Sequence, residues 1–334
     1  MQDVQKKGRR FFRQVSMKRD AGKRKFLGFT VTPLVLYMTF WTLFPVLWGF
    51  ALAFFEYSAR RSGNTVLGFG GDNPFVGLQH FKSMLNFSPD APKWVRQFHI
   101  SFKTTLLFAF IILPLNLAIT LPLAALIESV HERVKGIFRT FFFLPVLAPS
   151  AGVAIMWGYV FHPQKGLLNA IITSIGGKYV ATNWTADQSL MIMGIPVALI
   201  AVIVAYIWQD LGYNLVIFIA ALQSIPDSVK DAAKIDGVNS WQMFIHIVLP
   251  LMKPTILLTS ILTMISSFQV FDIIQIMTLG GPNDQTRVMS IDIYDNAFRF
   301  QRMGWASAVS IVLFLLVMTI SLVQSRMLEA DWEY

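Results

Sequence analysis

An acidic residue stands near the middle of a long apolar stretch of this chain. The stretch covers residues 190–222, and Trp208, Gln209 and Tyr213 are close neighbours of Asp210 within it. Carboxylates and amides hydrogen-bond hydroxyl groups, and an aromatic ring covers the apolar face of a sugar ring. Within a membrane, ionisable groups are costly and usually face a cavity. We therefore predict that Gln209, Asp210 and Tyr213 contact a solute such as a sugar; pairing of Asp210 with a neighbouring helix is the alternative.

A second set of polar side chains lies in the apolar run 255–276. Thr263 and Ser267 are four residues apart and share one stripe of a helix. Hydroxyls inside a helix often bond the carbonyl of the preceding turn instead of a ligand, so both roles stay open from spacing alone. Gln269 and Asp272 fall on roughly the opposite side, and an interfacial, solvated position is the simpler interpretation for Asp272.

Other motifs that resemble reactive sites lack essential members. Gly176-Gly177-Lys178 has neither the upstream glycine nor the Ser or Thr after lysine that a phosphate-binding loop needs. His131-Glu132 has no second histidine at zinc spacing, and the sequence contains no cysteine. We expect no catalytic residue, no metal site and no ATP site in this chain.

The composition places the chain in a lipid bilayer. Of 334 residues, 54% are hydrophobic and only 14% are charged, with a mean hydropathy of +0.55, which is too apolar for a soluble domain of this size. The net charge of +9 is concentrated near the N-terminus, since 10 of the 28 Lys and Arg residues lie between positions 6 and 25. A basic cytoplasmic tail facing anionic lipid explains this charge better than nucleic-acid binding does.

Six apolar runs can each cross a bilayer, since a crossing helix needs about 20 such residues. They cover residues 29–55, 101–127, 140–161, 190–222, 255–276 and 305–323. The fourth run is too long for one upright helix and too short for two crossings, so we expect a tilted or broken span with its break at residues 208–214. The first run ends in Phe54-Phe55-Glu56-Tyr57, which favours a retained span over a signal peptide cleaved after small residues.

This pattern predicts an all-α integral membrane protein in three parts. A basic tail (1–28) and a short C-terminal tail (327–334) lie in the cytoplasm, and the transmembrane domain covers residues 29–326. Residues 128–139 are expected to form a cytoplasmic loop. Apolar residues repeat at helical spacing over 167–175, which indicates an interfacial or re-entrant helix on the outer side.

The stretch 223–254 returns to the cytoplasm and has its own helix signals. Ser224 is a candidate N-cap, Pro226 lies in the first turn, and Gly237 supplies a left-handed stop. The helix between them has about three turns, and helices that short are marginal alone. One face has small side chains that can enter a groove. The residues on this face are Val229, Ala232, Ala233 and Asp236. We expect docking on a partner; packing on its own chain is the alternative from periodicity alone.

The same stretch resembles the loop motif of the membrane-spanning permease subunits of ABC importers. That motif is Glu-Ala-Ala, three residues, Gly, nine residues and Ile-x-Leu-Pro. The matching positions are Asp231-Ala232-Ala233, Gly237 and Ile247-x-Leu249-Pro250. Asp231 stands where Glu is usual, and it keeps the charge with one methylene less of reach.

Two further features are similar to the sugar-importing branch of that family. They are the acid before the motif glycine, Asp236-Gly237, and the sequence Gly280-Gly281-Pro282. Alignment on that branch places its sugar-contacting positions on Asp210, Tyr213, Thr263 and Ser267. Hydroxyls at the last two positions leave the identity of the sugar open.

The resemblance implies the six-span fold of a type I ABC importer permease in a bacterial cytoplasmic membrane. It implies a second permease subunit, the same chain or a different one, as the other half of the pathway. Two ATPase subunits would hold ATP and Mg²⁺ and bind beneath, and an extracytoplasmic solute-binding protein would deliver a sugar or oligosaccharide. The residues implied in ATPase coupling are Asp231, Ala232, Ala233, Asp236 and Gly237. The alternative hypothesis is a secondary transporter driven by an ion gradient, with Asp210 as the proton or sodium site.

Overall fold

The computed structural model describes residues 26–58 and 73–327. Most of the predicted basic tail and C-terminal tail lies outside the described residues. In chain order the described residues form helices and a two-stranded hairpin. Their bounds are α1 Phe26–Leu52, α2 Gln79–Met84, α3 Lys93–Ser129, α4 Glu132–Phe143, α5 Ser150–Val160, α6 Leu167–Gly176, β1 Met191–Ile192, β2 Ile195–Pro196, α7 Val197–Ser224, α8 Asp227–Ile235, α9 Ser240–Leu251, α10 Lys253–Phe268, α11 Asp272–Met277, α12 Met289–Tyr294 and α13 Met303–Met327.

Five segments of the described chain are long and apolar enough to cross a membrane. They are α1, α3, α7, Lys253–Met277 and α13. A bent pair, Glu132–Leu147 with Ser150–Val160, gives a sixth crossing if it counts as one span. The predicted all-α architecture with six spans is therefore confirmed, while several boundaries change.

The third span is not the straight helix predicted for residues 140–161. The chain bends by 100° between Glu132–Leu147 and Ser150–Val160. Pro145 and Pro149 explain the bend, because proline has no N–H to continue the helical ladder, and Pro149 is extended at the start of α5.

Helices α3 and α4 extend beyond their predicted limits. α3 begins at Lys93 rather than at residue 101. The predicted loop over residues 128–139 is wrong, because α4 begins at Glu132. His131 caps it, since the His131 ring accepts a backbone N–H at 3.3 Å.

The predicted break at residues 208–214 is also wrong. α7 runs without interruption from Val197 to Ser224, because its central polar side chains bond to neighbouring helices and leave the backbone ladder intact. The start of the long apolar run instead forms the β1–β2 hairpin, where Met193 and Gly194 have positive φ. The run is thus one hairpin and one helix.

The fifth span is interrupted where the sequence predicts a continuous helix over residues 255–276. α10 ends at Phe268 and α11 begins at Asp272, with Phe271 in a non-helical conformation (φ −138°). The interruption changes the direction of Gln269 and Asp272 relative to the stripe assumed for one regular helix.

The bundle is centred on α7, which packs against α3, α4 and α10. Phe108 and Ile112 of α3 meet Val202 and Tyr206 of α7 in a buried apolar cluster, and the Phe108 and Tyr206 rings lie edge to face at 5.3 Å. In contrast, the apolar window of α1 has none of its residues buried within the described structure. Lipid or another protein must cover that helix.

Gly212 sets the distance between α7 and α4. A Cβ atom at this position would lie 2.2 Å from the carbonyl oxygen of Phe142, far inside van der Waals contact. Only glycine lets the two helices approach this closely.

We expect Gly212→Ala to lower the melting temperature of the detergent-purified protein, because the added methyl group forces α7 away from α4. The free energy of unfolding should fall by about 1–3 kcal/mol, the range for overpacking a buried contact. Gly136→Ala on α4 is the matched control, since nothing lies within 4 Å of a Cβ built there and alanine favours helix. Equal melting temperatures for the two variants would contradict this account of the contact.

Candidate solute cavity and coupling helix

A cavity of about 350 Å³ lies where α7 passes the bend between α4 and α5 and the break between α10 and α11. This volume is within the range of small-molecule sites. Its walls combine acids, amides and hydroxyls with aromatic rings. The polar and aromatic lining residues are Ser150, Tyr206, Gln209, Asp210, Tyr213, Ser266, Gln269, Phe271 and Asp272.

Asp210 lines this cavity and also pairs with a neighbouring helix. Its Oδ2 accepts a hydrogen bond from Asn116 Nδ2 at 2.9 Å, and Asn214 Nδ2 lies 3.4 Å away. Within the described chain its Oδ1 has no hydrogen-bond donor and Asp210 has no ion-pair partner. One carboxylate oxygen is therefore held in place, while the other has no hydrogen-bond partner among the described residues.

The amide of Asn116 extends this contact into a buried network. Asn214 Nδ2 donates to Asn116 Oδ1 at 2.8 Å and to Thr263 Oγ1 at 2.9 Å. Asn116, Asn214 and Thr263 are 0%, 1% and 2% exposed. The network joins α3, α7 and α10 directly behind the cavity wall, and it fixes the position of Asp210.

Gln209 secures the opposite wall. Its Nε2 donates to the carbonyl oxygen of Ala148 at 2.9 Å and lies 3.4 Å from Ser150 Oγ. Ala148 lies in the bend between α4 and α5, where the helical ladder is interrupted. Gln209 therefore satisfies a carbonyl that the bend leaves free.

The structure separates the five residues predicted to bind solute. Gln209, Asp210 and Tyr213 lie together in the cavity, and Tyr213 is 46% exposed. Thr263 and Ser267 do not line it, because they lie on the buried side of α10. Ser267 Oγ donates to the Met264 carbonyl at 2.9 Å, which is the back-bonded role that the sequence left open.

Five polar residues of the cavity were not in the predicted set, namely Ser150, Tyr206, Ser266, Gln269 and Asp272. Tyr206 lies one turn before Asp210 on α7, and its hydroxyl donates to Ser266 Oγ at 3.0 Å. Gln269 and Asp272 enter the cavity because the chain breaks between α10 and α11. The sequence signal for Gln269 and Asp272 was that they are polar residues in an otherwise apolar run.

The segment before α13 packs against the break between α10 and α11. Ser290 Oγ donates to the Val270 carbonyl, and the Tyr294 ring contacts that of Phe271 at 5.1 Å. Arg287 anchors the segment through Asp284 (2.6 Å) and Asp295 (2.9 Å). Burial raises the pKa of the nearby Asp292 carboxyl to about 7, against the opposing effect of the Arg287 charge.

Helix α8 ends in a Schellman motif. Gly237 has φ 76°, its N–H bonds the Lys234 carbonyl, and the Val238 N–H bonds the Ala233 carbonyl, both at 3.1 Å. The predicted stop is therefore confirmed. The predicted cap is wrong, because α8 begins at Asp227 after Pro226, and Ser224 Oγ donates back to Ala221 at 2.7 Å.

Most of α8 is exposed. Among the predicted coupling residues only Ala233 is buried, whereas Asp231, Ala232, Asp236 and Gly237 face outward. Asp231 forms an exposed ion pair with Lys234 at 3.0 Å. The sequence interpretation missed two large apolar side chains beside the motif. They are Ile235, 86% exposed, and Trp241, 69% exposed.

A cluster of charges joins the helix ends next to α8. Glu128 at the end of α3 accepts hydrogen bonds from Lys135 (2.9 Å) and Arg139 (3.0 Å) of α4, and from Gln223 (3.3 Å) of α7.

Across the described residues, no group of three or more His, Asp or Glu side chains is arranged to hold a metal ion.

The chain is similar to known transport proteins over most of its length. "Probable ABC transporter permease protein YurN" of Bacillus subtilis (strain 168) is 28% identical over 91% of this chain and 96% of its own. The lactose transport system permease protein LacF of Rhizobium radiobacter is 31% identical over 88% of this chain and 91% of its own. The sn-glycerol-3-phosphate transport system permease protein UgpA of Pectobacterium atrosepticum is 31% identical over 80% of this chain and 84% of its own.

The fold also has a solved counterpart. A bacterial ABC transporter involved in the import of the acidic polysaccharide alginate matches with a TM-score of 0.77 and 21% identity, over 95% of this chain and 99% of that one. This match confirms the ABC importer permease fold. Residues 120–333 match the family described as "Binding-protein-dependent transport system inner membrane component". The chain therefore belongs to this family of inner-membrane transport components.

Proposed function

We propose that this permease forms half of the pathway by which an ATP-driven importer takes up a neutral sugar or small oligosaccharide. The observation that carries the proposal is the cavity in which Asp210, Gln209 and Gln269 lie beside the ring of Tyr213. Carboxylate and amide groups suit hydroxyls, and the ring suits an apolar sugar face. Membership in a binding-protein-dependent family supports this mechanism over the ion-gradient alternative.

The charge of the cavity narrows the class of solute. Two carboxylates, Asp210 and Asp272, line it, and of the described residues no lysine or arginine does. In a membrane interior of low dielectric constant, these acids would repel a phosphate or a uronate. A lactose permease and sn-glycerol-3-phosphate permeases are both among the similar proteins. The electrostatics favour the neutral solute.

The exposed helix α8 is proposed as the contact to an ATPase. Two ATPase subunits that carry ATP and Mg²⁺ would bind on the cytoplasmic side, where Ile235 and Trp241 offer uncovered apolar area beside Asp231 and Gly237. A second permease subunit would complete the pathway, and a solute-binding protein would deliver from outside. Both termini would lie in the cytoplasm of a bacterial inner membrane.

We expect Gln269→Ala to lower the uptake rate at saturating solute about fivefold, the effect of losing one hydrogen bond. The rate is the relevant quantity, because a separate binding protein would set the affinity for external solute. Ser267→Ala is the matched control on the sequence-predicted stripe, and we expect its rate to stay within about twofold, because its hydroxyl bonds only the preceding turn. If, at equal protein levels, Ser267→Ala lowers the uptake rate more than Gln269→Ala does, the solute lies on the Thr263–Ser267 face instead.

We expect Gly237→Pro to uncouple ATP hydrolysis from uptake, because proline cannot adopt the φ of 76° that ends α8. Solute uptake should fall to background while the complex still assembles and hydrolyses ATP. Gly177→Pro is the matched control, since Gly177 ends α6 with φ 64° on the proposed outer side. Normal uptake per ATP in the Gly237 variant would refute the coupling role.

We expect α8 to be reachable only from the cytoplasm. The sequence contains no cysteine, so Lys234→Cys provides a single reactive thiol at a side chain that is 68% exposed. A membrane-impermeant maleimide should label it only after cells are permeabilised. Lys82→Cys on α2, at the proposed outer end of the helices, should be labelled in intact cells. If both cysteines are labelled in intact cells, or both only after permeabilisation, the proposed topology is wrong.

A further inference from the structure

A second cavity, of about 460 Å³, lies at the other end of the helices from α8. It is formed where the chain leaves α1, by α2, and by the first residues of α3 and α13. It is larger than the cavity beside Asp210. The lining residues used below are Gln79, His80, Trp94, Phe300, Arg302 and Trp305.

Trp305 supplies a buried hydrogen-bond donor without an acceptor. Its residue is 3% exposed and lines the cavity, and its Nε1 has no hydrogen-bond partner in the described part of the chain. Buried polar groups in folded proteins nearly always have a partner. The Nε1 atom is itself shielded from solvent, so Trp305 contributes its ring rather than its N–H to the cavity wall.

Arg302 supplies a cation held in place without an ion pair. Its guanidinium lies 4.1 Å from the centre of the Trp94 ring and 5.8 Å from that of Phe300, while its backbone N–H donates to the Asn296 carbonyl at 2.7 Å. No carboxylate among the described residues pairs with it. Stacking therefore orients its N–H groups and leaves them free to donate to a ligand.

The remaining wall adds groups of mixed polarity. His80 Nε2 lies 3.2 Å from the Phe55 carbonyl; with the proton on Nε2, the ring presents Nδ1 as an acceptor. Gln79 adds an amide with both a donor and an acceptor. Donors and acceptors between aromatic walls match a ring that carries several hydroxyls.

We propose that this cavity is an extracytoplasmic subsite for a saccharide unit, separate from the cavity beside Asp210. The proposal rests on the proposed sugar transport. Hydroxyl oxygens of the sugar accept hydrogen bonds from Arg302, and its hydroxyl groups donate hydrogen bonds to Gln79 and His80. An incoming solute would thus meet a binding surface before it reaches the acidic cavity deeper in the bundle.

The test is saturation-transfer NMR on the purified transporter complex in lipid nanodiscs without binding protein. The probes are a panel of glucose, galactose, lactose and maltose. We expect Arg302→Gln to weaken binding of the responding sugar about tenfold, the effect of losing charge-assisted hydrogen bonds. The loss should also appear in an Asp210→Asn background, where the inner cavity is impaired.

Arg96→Gln is the matched control, since Arg96 is exposed on the same end of α3 and does not line the cavity. Sugar binding that is lost in Asp210→Asn but unchanged in Arg302→Gln overturns the outer subsite and leaves the proposed function intact. Failure of every sugar in the panel to bind the wild-type complex, together with absent sugar uptake, overturns both. Loss of binding-protein docking in Arg302→Gln with unchanged sugar binding assigns the cavity to a protein contact and also overturns the proposal.

Discussion

A carboxylate buried among helices in lipid must be hydrogen-bonded, and this requirement organises the centre of the protein. Asp210 is held by Asn116, which is bonded in turn to Asn214, and Asn214 reaches Thr263. Each of these groups would be costly in a membrane without its partner. Because the partners belong to α3, α7 and α10, satisfying them fixes how the three helices are rotated and shifted against one another.

The cavity exists because two helices are interrupted beside this network. Helix interruptions inside a membrane are tolerated only where the freed backbone groups find partners or face a cavity. The carbonyl of Ala148 accepts from Gln209, and the carbonyl of Val270 accepts from Ser290. The same interruptions that form the walls thus present polar side chains to the cavity, and the side chains that bond the freed carbonyls also shape it.

The sequence predicted what depends on local physics and missed what depends on contacts between helices. Gly237 was identifiable because a left-handed stop is a property of a few adjacent residues. Asp210 was identifiable because a lone acid in an apolar run is unusual. Thr263 was assigned to the solute by the resemblance to the sugar-importing branch, since spacing alone left its role open, whereas its hydrogen-bond partner is Asn214, 49 positions earlier. No spacing rule could bring Asn116 into the network, since a single asparagine in a span has many possible partners.

The continuity of α7 gives the proposed coupling a mechanical basis. One uninterrupted helix runs from Asp210 to Ser224, and α8 begins at Asp227. The break expected in its middle would have formed a hinge that absorbs motion between the cavity and the cytoplasm. Glu128 adds a second constraint, because it binds α4 and the end of α7 at once. A force applied to α8 must therefore either break these charge-assisted bonds or move α3, α4 and α7 together, and moving them together changes the cavity.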